Sequence, residues 1–197
     1  MTGGSSPEPG AADARPREEQ VLPSGAHSTR EVVLALGSNL GDRGDILQGG
    51  VDAIAGIEGV QLTGVSPVYE TVPVGGPPQP DYLNAVVLAD ITIPPRELLD
   101  RLHEVEAAFA RVRLVRWGPR TLDIDIICVA GERSDDPDLT LPHPRAHERA
   151  FVLAPWHDVD PDAVLPGHGP VADLLARVDK AGVRRSDLPL VLQEAGS

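Results

Sequence analysis

The 197-residue sequence predicts an α+β domain of the order β-α-β-β-α-β, and three observations carry that prediction. Short apolar runs bounded by Gly, Asn, Asp and Pro mark strands over residues 32–36, 60–69, 82–93 and 121–129. Two longer stretches, 43–55 and 94–110, repeat their apolar residues at helical spacing instead. The length suits one domain, and no internal repeat divides it.

Taken in order, residues 1–29 are rich in Gly, Pro, Ser, Ala and Glu and show no apolar periodicity. Such a segment cannot bury enough surface to offset its ordering entropy, so a disordered tail is expected there and a single domain over 30–197. Val32-Val-Leu-Ala-Leu36 is a continuous apolar run suited to a buried strand, stopped by Gly37-Ser-Asn-Leu-Gly-Asp42. The first helix carries Ile46, Leu47, Val51 and Ile54 on one face and ends at Gly56. A loosely alternating strand over 60–69 is interrupted at Pro67. Val72-Pro-Val-Gly-Gly-Pro-Pro-Gln-Pro80 cannot be a helix or a central strand and forms a stiffened loop of the kind that holds ligands. The strand over 82–93 follows, then a helix opened by Pro94-Pro95, where proline is tolerated. It carries Leu98, Leu99, Leu102, Val105, Ala108 and Phe109. With the strand over 121–129 this is the ferredoxin-like order, with a mainly antiparallel sheet and both helices on one face. Short helices around 147–154 and 171–178 extend it, and 188–192 forms an edge strand or a packed tail.

Composition narrows the function. The formal net charge is -13 and aromatic residues make up 3 %. An acidic chain with few stacking rings is a poor reader of nucleic acid, so no nucleic-acid partner is expected. Cys128 is the sole cysteine and lies in the run 124–130, which excludes an internal disulfide and a thiolate metal site. No apolar stretch reaches the roughly 20 residues needed to span a bilayer, and the N-terminus lacks a signal-peptide pattern. A cytoplasmic protein with no membrane partner is the expectation. No feature indicates an oligomeric state.

Against that acidic background, Arg111, Arg113, Arg116 and Arg120 fall within ten residues that contain no acid. Asp123 and Asp125 follow at once. Guanidinium forks match phosphate oxygens, and side chains at i and i+2 of a strand leave on one face, about 6.6 Å apart at Cα. Two such carboxylates repel unless a cation lies between them, and a small oxygen set suits Mg²⁺ with water and phosphate as further ligands. Phosphoryl transfer asks for charge neutralisation and alignment more than for a covalent nucleophile. His143 and Arg149, in Leu141-Pro-His-Pro-Arg-Ala-His-Glu-Arg149, complement the same polyphosphate. Nucleotidyl transfer by two metals suits the same pattern, and a non-catalytic RNA-binding module is a third reading, opposed by charge.

Five ordered motifs then carry a resemblance: Gly37-Ser-Asn-Leu-Gly41, Tyr69-Glu-Thr-Val-Pro-Val-Gly75, Gln79-Pro-Asp-Tyr-Leu-Asn-Ala85, Arg116-Trp-Gly-Pro-Arg-Thr-Leu-Asp-Ile-Asp-Ile126 and Leu141-Pro-His-Pro-Arg145. Over roughly 32–166 the chain resembles the 6-hydroxymethyl-7,8-dihydropterin pyrophosphokinases of folate synthesis. The resemblance implies transfer of the pyrophosphoryl group of ATP to the pterin hydroxymethyl, with release of AMP. It implies two Mg²⁺ ions on Asp123 and Asp125, and phosphate contacts from Arg111, Arg113 and Arg120 with help from His143 and Arg149. It further implies adenine near Ile126, Leu139 and Thr140, and the pterin stacked between Tyr82 and Phe151. Asn84, Thr71 and backbone groups near Val72 and Val74 would read the pterin edge. Three departures stand out: Ala110 where the family usually has glycine, a span from Arg113 to Trp117 one residue shorter than in some relatives, and Pro144 in place of an aromatic.

Overall fold

β1 (Arg30–Ser38) is an interior strand of the sheet, and its sequence explains why: Val32, Leu34 and Leu36 are almost wholly buried on one face, Val33 on the other. The structure, a computed structural model, describes residues 28–73, 78–109 and 121–192. Of the expected tail, residues 1–27 lie outside these.

α1 (Arg43–Ala55) begins where the Asp42 carboxylate accepts the backbone N–H of Asp45 and ends at Gly56, the bounds expected from sequence. Leu47, Val51 and Ile54, spaced four and three apart, are its buried stripe. The strand expected over 60–69 is two strands, β2 (Val60–Val65) and β3 (Tyr69–Thr71). Pro67 has no N–H to give a ladder, and Ser66 fills the gap: its N–H donates to the Val86 carbonyl and its hydroxyl accepts the Val86 N–H. Both strands pair with β4 (Tyr82–Ile91), so the edge continues across the break. The end of β4 falls two residues short of expectation, because Thr92 N–H turns to the Gly59 carbonyl.

α2 (Pro95–Phe109) leads, through 110–120, to β5 (Asp123–Val129). The core sheet runs β2/β3, β4, β1, β5, every pair antiparallel. This is the ferredoxin-like arrangement. α1 and α2 cover one face, packing Leu47, Val51, Ile54, Leu98 and Leu102 on Leu34, Leu36, Val87, Ile124 and Ile126. Each such side chain contributes about 1.5–3 kcal/mol by leaving water.

After β5 come a hairpin of β6 (Ser134–Asp136) and β7 (Leu139–Leu141), a 3-10 turn (Ala146–Glu148) and α3 (Ala150–Val159). The helix begins later than expected and runs further, through Pro155. β8 (Val164–Leu165), β9 (Gly169–Pro170) and α4 (Val171–Arg177) follow. α3 and α4 close the second face, with Val152, Leu153, Trp156, Val171 and Leu174 against Val33, Val86 and Ile127. The residues 188–192 form no strand. They lie along α1, where the Gln48 amide both donates to the Val191 carbonyl and accepts its N–H. The added edge strand is β10 (Val183–Arg185), antiparallel to β3.

One irregularity aims the site. Val33 faces Cys128 but Leu34 faces Ile126, leaving Ile127 as an extra residue on β5. This bulge resets the alternation: Ile124 and Ile126 enter the α1/α2 core while Ile127 and Cys128 both join the α3/α4 core. Asp123 and Asp125 therefore stand on the α3 face. Among the described residues, no helix is long and apolar enough to cross a membrane.

Candidate active site

Four strands bring the chemistry into one row. Gly37 on β1 is the register partner of Asp123 on β5 and of Asn84 on β4, and Asn84 is in turn the partner of Tyr69 on β3. Cross-strand partners share a face, so Asp123 and Asn84 flank a bare glycine. The next row holds Asp125 and Ala35. A Cβ on Gly37 would stand 3.2 Å from Asn84 Oδ1 and 3.9 Å from Tyr82 Cδ1. Glycine keeps the floor between the two sides open.

On the acidic side, α3 starts beside Asp125. Arg149, its N-cap residue, places Nη1 3.3 Å from Asp125 Oδ2, and its guanidinium lies 5.6 Å from the centre of the Phe151 ring. His143 Nε2 is 3.9 Å from the same carboxylate oxygen. The backbone N–H of His143 donates to the Ile127 carbonyl, and its imidazole is held through Nδ1, which accepts the Arg145 N–H at 3.1 Å. With Nδ1 accepting, a neutral ring carries its proton on Nε2, facing Asp125. Burial holds the His143 pKa below its ordinary value, outweighing the pull of Asp125, so neutral is its resting form.

Asp125 and His143 open onto a cleft of about 740 Å³. Ile126, Leu139 and Thr140, named from sequence, line it together with Asp123, Asp125 and His143. The volume falls in the range of small-ligand pockets. Glu106 of α2 also lines the cleft, and sequence reasoning missed it. It is 8 % exposed, and its Oε1 accepts the Ile124 N–H at 2.8 Å, between the two aspartates. The signal was present: Leu99, Leu102, Glu106 and Phe109 follow the buried stripe of α2, and a carboxylate on such a stripe calls for a partner.

On the other side of Gly37, Asn84 Nδ2 donates to Thr71 Oγ1 at 2.7 Å, both side chains buried. That bond fixes which way the Asn84 amide points. Asn39 Nδ2 and the Tyr82 hydroxyl both donate to Gln79 Oε1, closing the near end of the proline-rich loop. Val72 is half exposed at the loop's start. Val74, Arg111, Arg113 and Arg120 lie outside the described residues. Among the described residues, no three His, Cys, Asp or Glu side chains form a metal cluster. An aspartate pair of hard oxygen donors fits an ion that keeps phosphate or water oxygens as its remaining ligands.

The acid pair thus stands beside a cleft, and a buried amide–hydroxyl pair lies on the same sheet face. Residues 33–161 match the family model described as 7,8-dihydro-6-hydroxymethylpterin-pyrophosphokinase (HPPK). The chain belongs to this family. Among its relatives is the 2-amino-4-hydroxy-6-hydroxymethyldihydropteridine pyrophosphokinase of Mycobacterium tuberculosis, 47 % identical over 163 residues, covering 76 % of this chain and 85 % of that protein. The enzyme of the same name from Methylorubrum extorquens is 41 % identical over 152 residues, with 77 % and 96 % covered. The chain is thus a pyrophosphokinase. Its fold is also that of the crystal structure of wild-type Plasmodium falciparum HPPK-DHPS with SDX-DHP, at a TM-score of 0.60 and 13 % identity over 76 % of this chain. It spans 44 % of that longer chain. The HPPK model ends at Pro161, so β8, β9, α4 and β10 lie beyond the matched residues.

Proposed function

We propose that this pyrophosphokinase transfers the pyrophosphoryl group of ATP to the hydroxymethyl of 6-hydroxymethyl-7,8-dihydropterin, releasing AMP, with residues 30–197 as one catalytic domain. The observation that carries the reading is the row Asp123, Gly37, Asn84, which sets the acid pair beside the Asn84–Thr71 pair on one sheet face.

In this reading ATP occupies the cleft, with its adenine near Ile126, Leu139 and Thr140. Asp123 and Asp125 would hold two Mg²⁺ ions, which when bound neutralise phosphate charge and align the reactants. Arg149 and His143 orient the Asp125 carboxylate from the side of α3, and their donors face the polyphosphate. Arg111, Arg113 and Arg120 supply phosphate contacts from the segment between α2 and β5. The pterin lies against Asn84, Thr71 and the backbone at Val72 and Val74, stacked between Tyr82 and Phe151. The Asn84–Thr71 bond matters here because a pre-oriented amide recognises a pterin edge without first being ordered. The hydroxymethyl oxygen attacks the β-phosphorus, its proton is lost to solvent, and the bond from the β-phosphorus to the bridging oxygen breaks with AMP as leaving group. No side-chain nucleophile takes part.

Incubation with Mg²⁺, ATP and 6-hydroxymethyl-7,8-dihydropterin, followed by chromatography of the nucleotides, tests this. Pterin-dependent AMP is expected. Stoichiometric ADP, or release of free pyrophosphate from ATP, would overturn it.

A further inference from the structure

β10 grips β3 from both faces of the sheet. Its two arginines alternate as strand residues do, and each reaches a carboxylate on a different layer. On the α1 side, Arg184 is the register partner of Glu70 and donates to Glu70 Oε2 through Nη2 at 2.6 Å and Nε at 3.2 Å. The other carboxylate oxygen, Oε1, accepts from Arg43 Nη1 at 3.1 Å, and the same Nη1 donates to the Asp81 carbonyl at 2.6 Å. Arg184 Nη2 also lies 3.8 Å from Asp81 Oδ2. On the α3 side, Arg185 Nη1 is 3.4 Å from Asp158 Oδ2, the oxygen that also accepts the Tyr69 hydroxyl at 2.9 Å.

The backbone completes the grip. Val72 N–H donates to the Gly182 carbonyl, and Ser186 N–H to the Val68 carbonyl. Gly182 has φ 76°, and a Cβ there would stand 3.2 Å from Val72 Cβ, so the turn before β10 sits directly against the residue that opens the proline-rich loop. Glu70 and Asp81 immediately precede Thr71 and Tyr82, which are register partners. The Arg43–Glu70–Arg184 chain thus joins the two ends of that loop.

We infer that β10 is a positioning element for the pterin side of the site, with Arg184 holding Glu70 and Asp81 so that Thr71, Val72 and Tyr82 stand in their binding arrangement. The inference rests on the placement of the pterin given above, and it assigns a task to a strand outside the residues matched by the family model. Arg184 touches no substrate; it acts through Glu70. The same contact with Arg184 is the chief reason the Glu70 carboxyl sits below the usual carboxylate range. An exposed ion pair contributes little to global stability, so a purely structural role and a positioning role differ in what they move.

The full-length chain carrying Arg184→Met separates them. Its pterin KM is expected to rise about three- to fivefold, the size set by losing one well-formed surface ion pair, while kcat, the ATP KM and the melting temperature stay as in the parent. Arg184→Lys, which keeps the charge and loses the fork, recovers part of the shift. An unchanged pterin KM, or an ATP KM that rises in step with it, would overturn the inference. Asn84→Ala measured alongside distinguishes the two levels. If it raises the pterin KM while Arg184→Met does not, only the role of β10 falls. If neither variant moves the pterin KM, the placement of the pterin falls as well.

Discussion

Arg149 and Asp125 meet at 3.3 Å beside the start of α3, so the residue at that helix's N-cap position also orients an acid of the proposed active site. Asp125→Asn keeps the shape of the side chain and removes its charge. The variant is expected to fold, since the Asp125 side chain is 39 % exposed and the lost pair is worth at most about 1 kcal/mol. Turnover should fall by about 10²–10³-fold, the usual cost of deleting one group that stabilises transferring charge. AMP formation and a urea melt on the same preparation check both halves. Wild-type turnover in a folded variant would remove Asp125 from the chemistry.

On the pterin side, Thr71→Val tests the bond that orients Asn84. Valine matches threonine in shape but cannot accept from Asn84 Nδ2, which is buried. An unmet buried donor costs about 1–3 kcal/mol. The urea midpoint should fall accordingly and the pterin KM should rise, with the ATP KM unmoved. A variant as stable as the parent would mean that the Asn84 amide finds another acceptor.

The core was legible in sequence because its strands and helices are long enough to show a period. α1 was read to its terminal residues from its apolar spacing and its Asp42 cap, and Asp123 and Asp125 were readable because i and i+2 share a strand face. Beyond Pro161 the strands are two or three residues long, and no period can be seen in so few. Leu188 to Leu192 looked more strand-like than Val183-Arg-Arg185, yet the arginines form the strand, because Glu70 and Asp158 wait on either side of that edge. Glu106 was hidden for the opposite reason. In a helix full of acids it reads as one more solvated residue unless its place on the buried stripe is weighed, and the partner that stripe calls for, the Ile124 amide, is given by the fold alone.

Cys128 gives a prediction in the alkaline range. Burial, with Glu31 adding to it, pushes its thiol from 9.0 up to about 12. An acid whose folded pKa is raised loses its proton first in the unfolded chain, so stability is untouched below pH 9 and falls as pH climbs from 9 towards 12. Cys128→Ala should be slightly less stable than the parent at about pH 7, and that gap should close and then reverse above about pH 9. Parallel stability curves for the two proteins would show that the thiol does not titrate late. At about pH 8 the native thiol should also react with a disulfide reagent only as fast as the protein opens.

Gly37 yields the sharpest contrast, because stability and activity should move in opposite directions. It sits inside β1, where replacing glycine by alanine lowers the entropy of the unfolded chain and favours the strand by about 0.5–1 kcal/mol. Its φ is not positive, so the backbone accepts the change. The new methyl group, however, would enter the row between Asp123 and Asn84, 3.2 Å from Asn84 Oδ1. The Asn84 amide must give by a few tenths of an ångström, and it is tethered to Thr71 at 2.7 Å. Gly37→Ala should therefore melt at or above the temperature of the parent while its pterin KM rises about tenfold, a displacement effect of the kind small misplacements produce in tightly fitted sites. A melting temperature that drops together with activity would indicate general disruption of β1. Unchanged pterin kinetics in a stable variant would show that no substrate atom occupies the space above residue 37, and the row from Asp123 to Asn84 would then hold two separate sites instead of two halves of one.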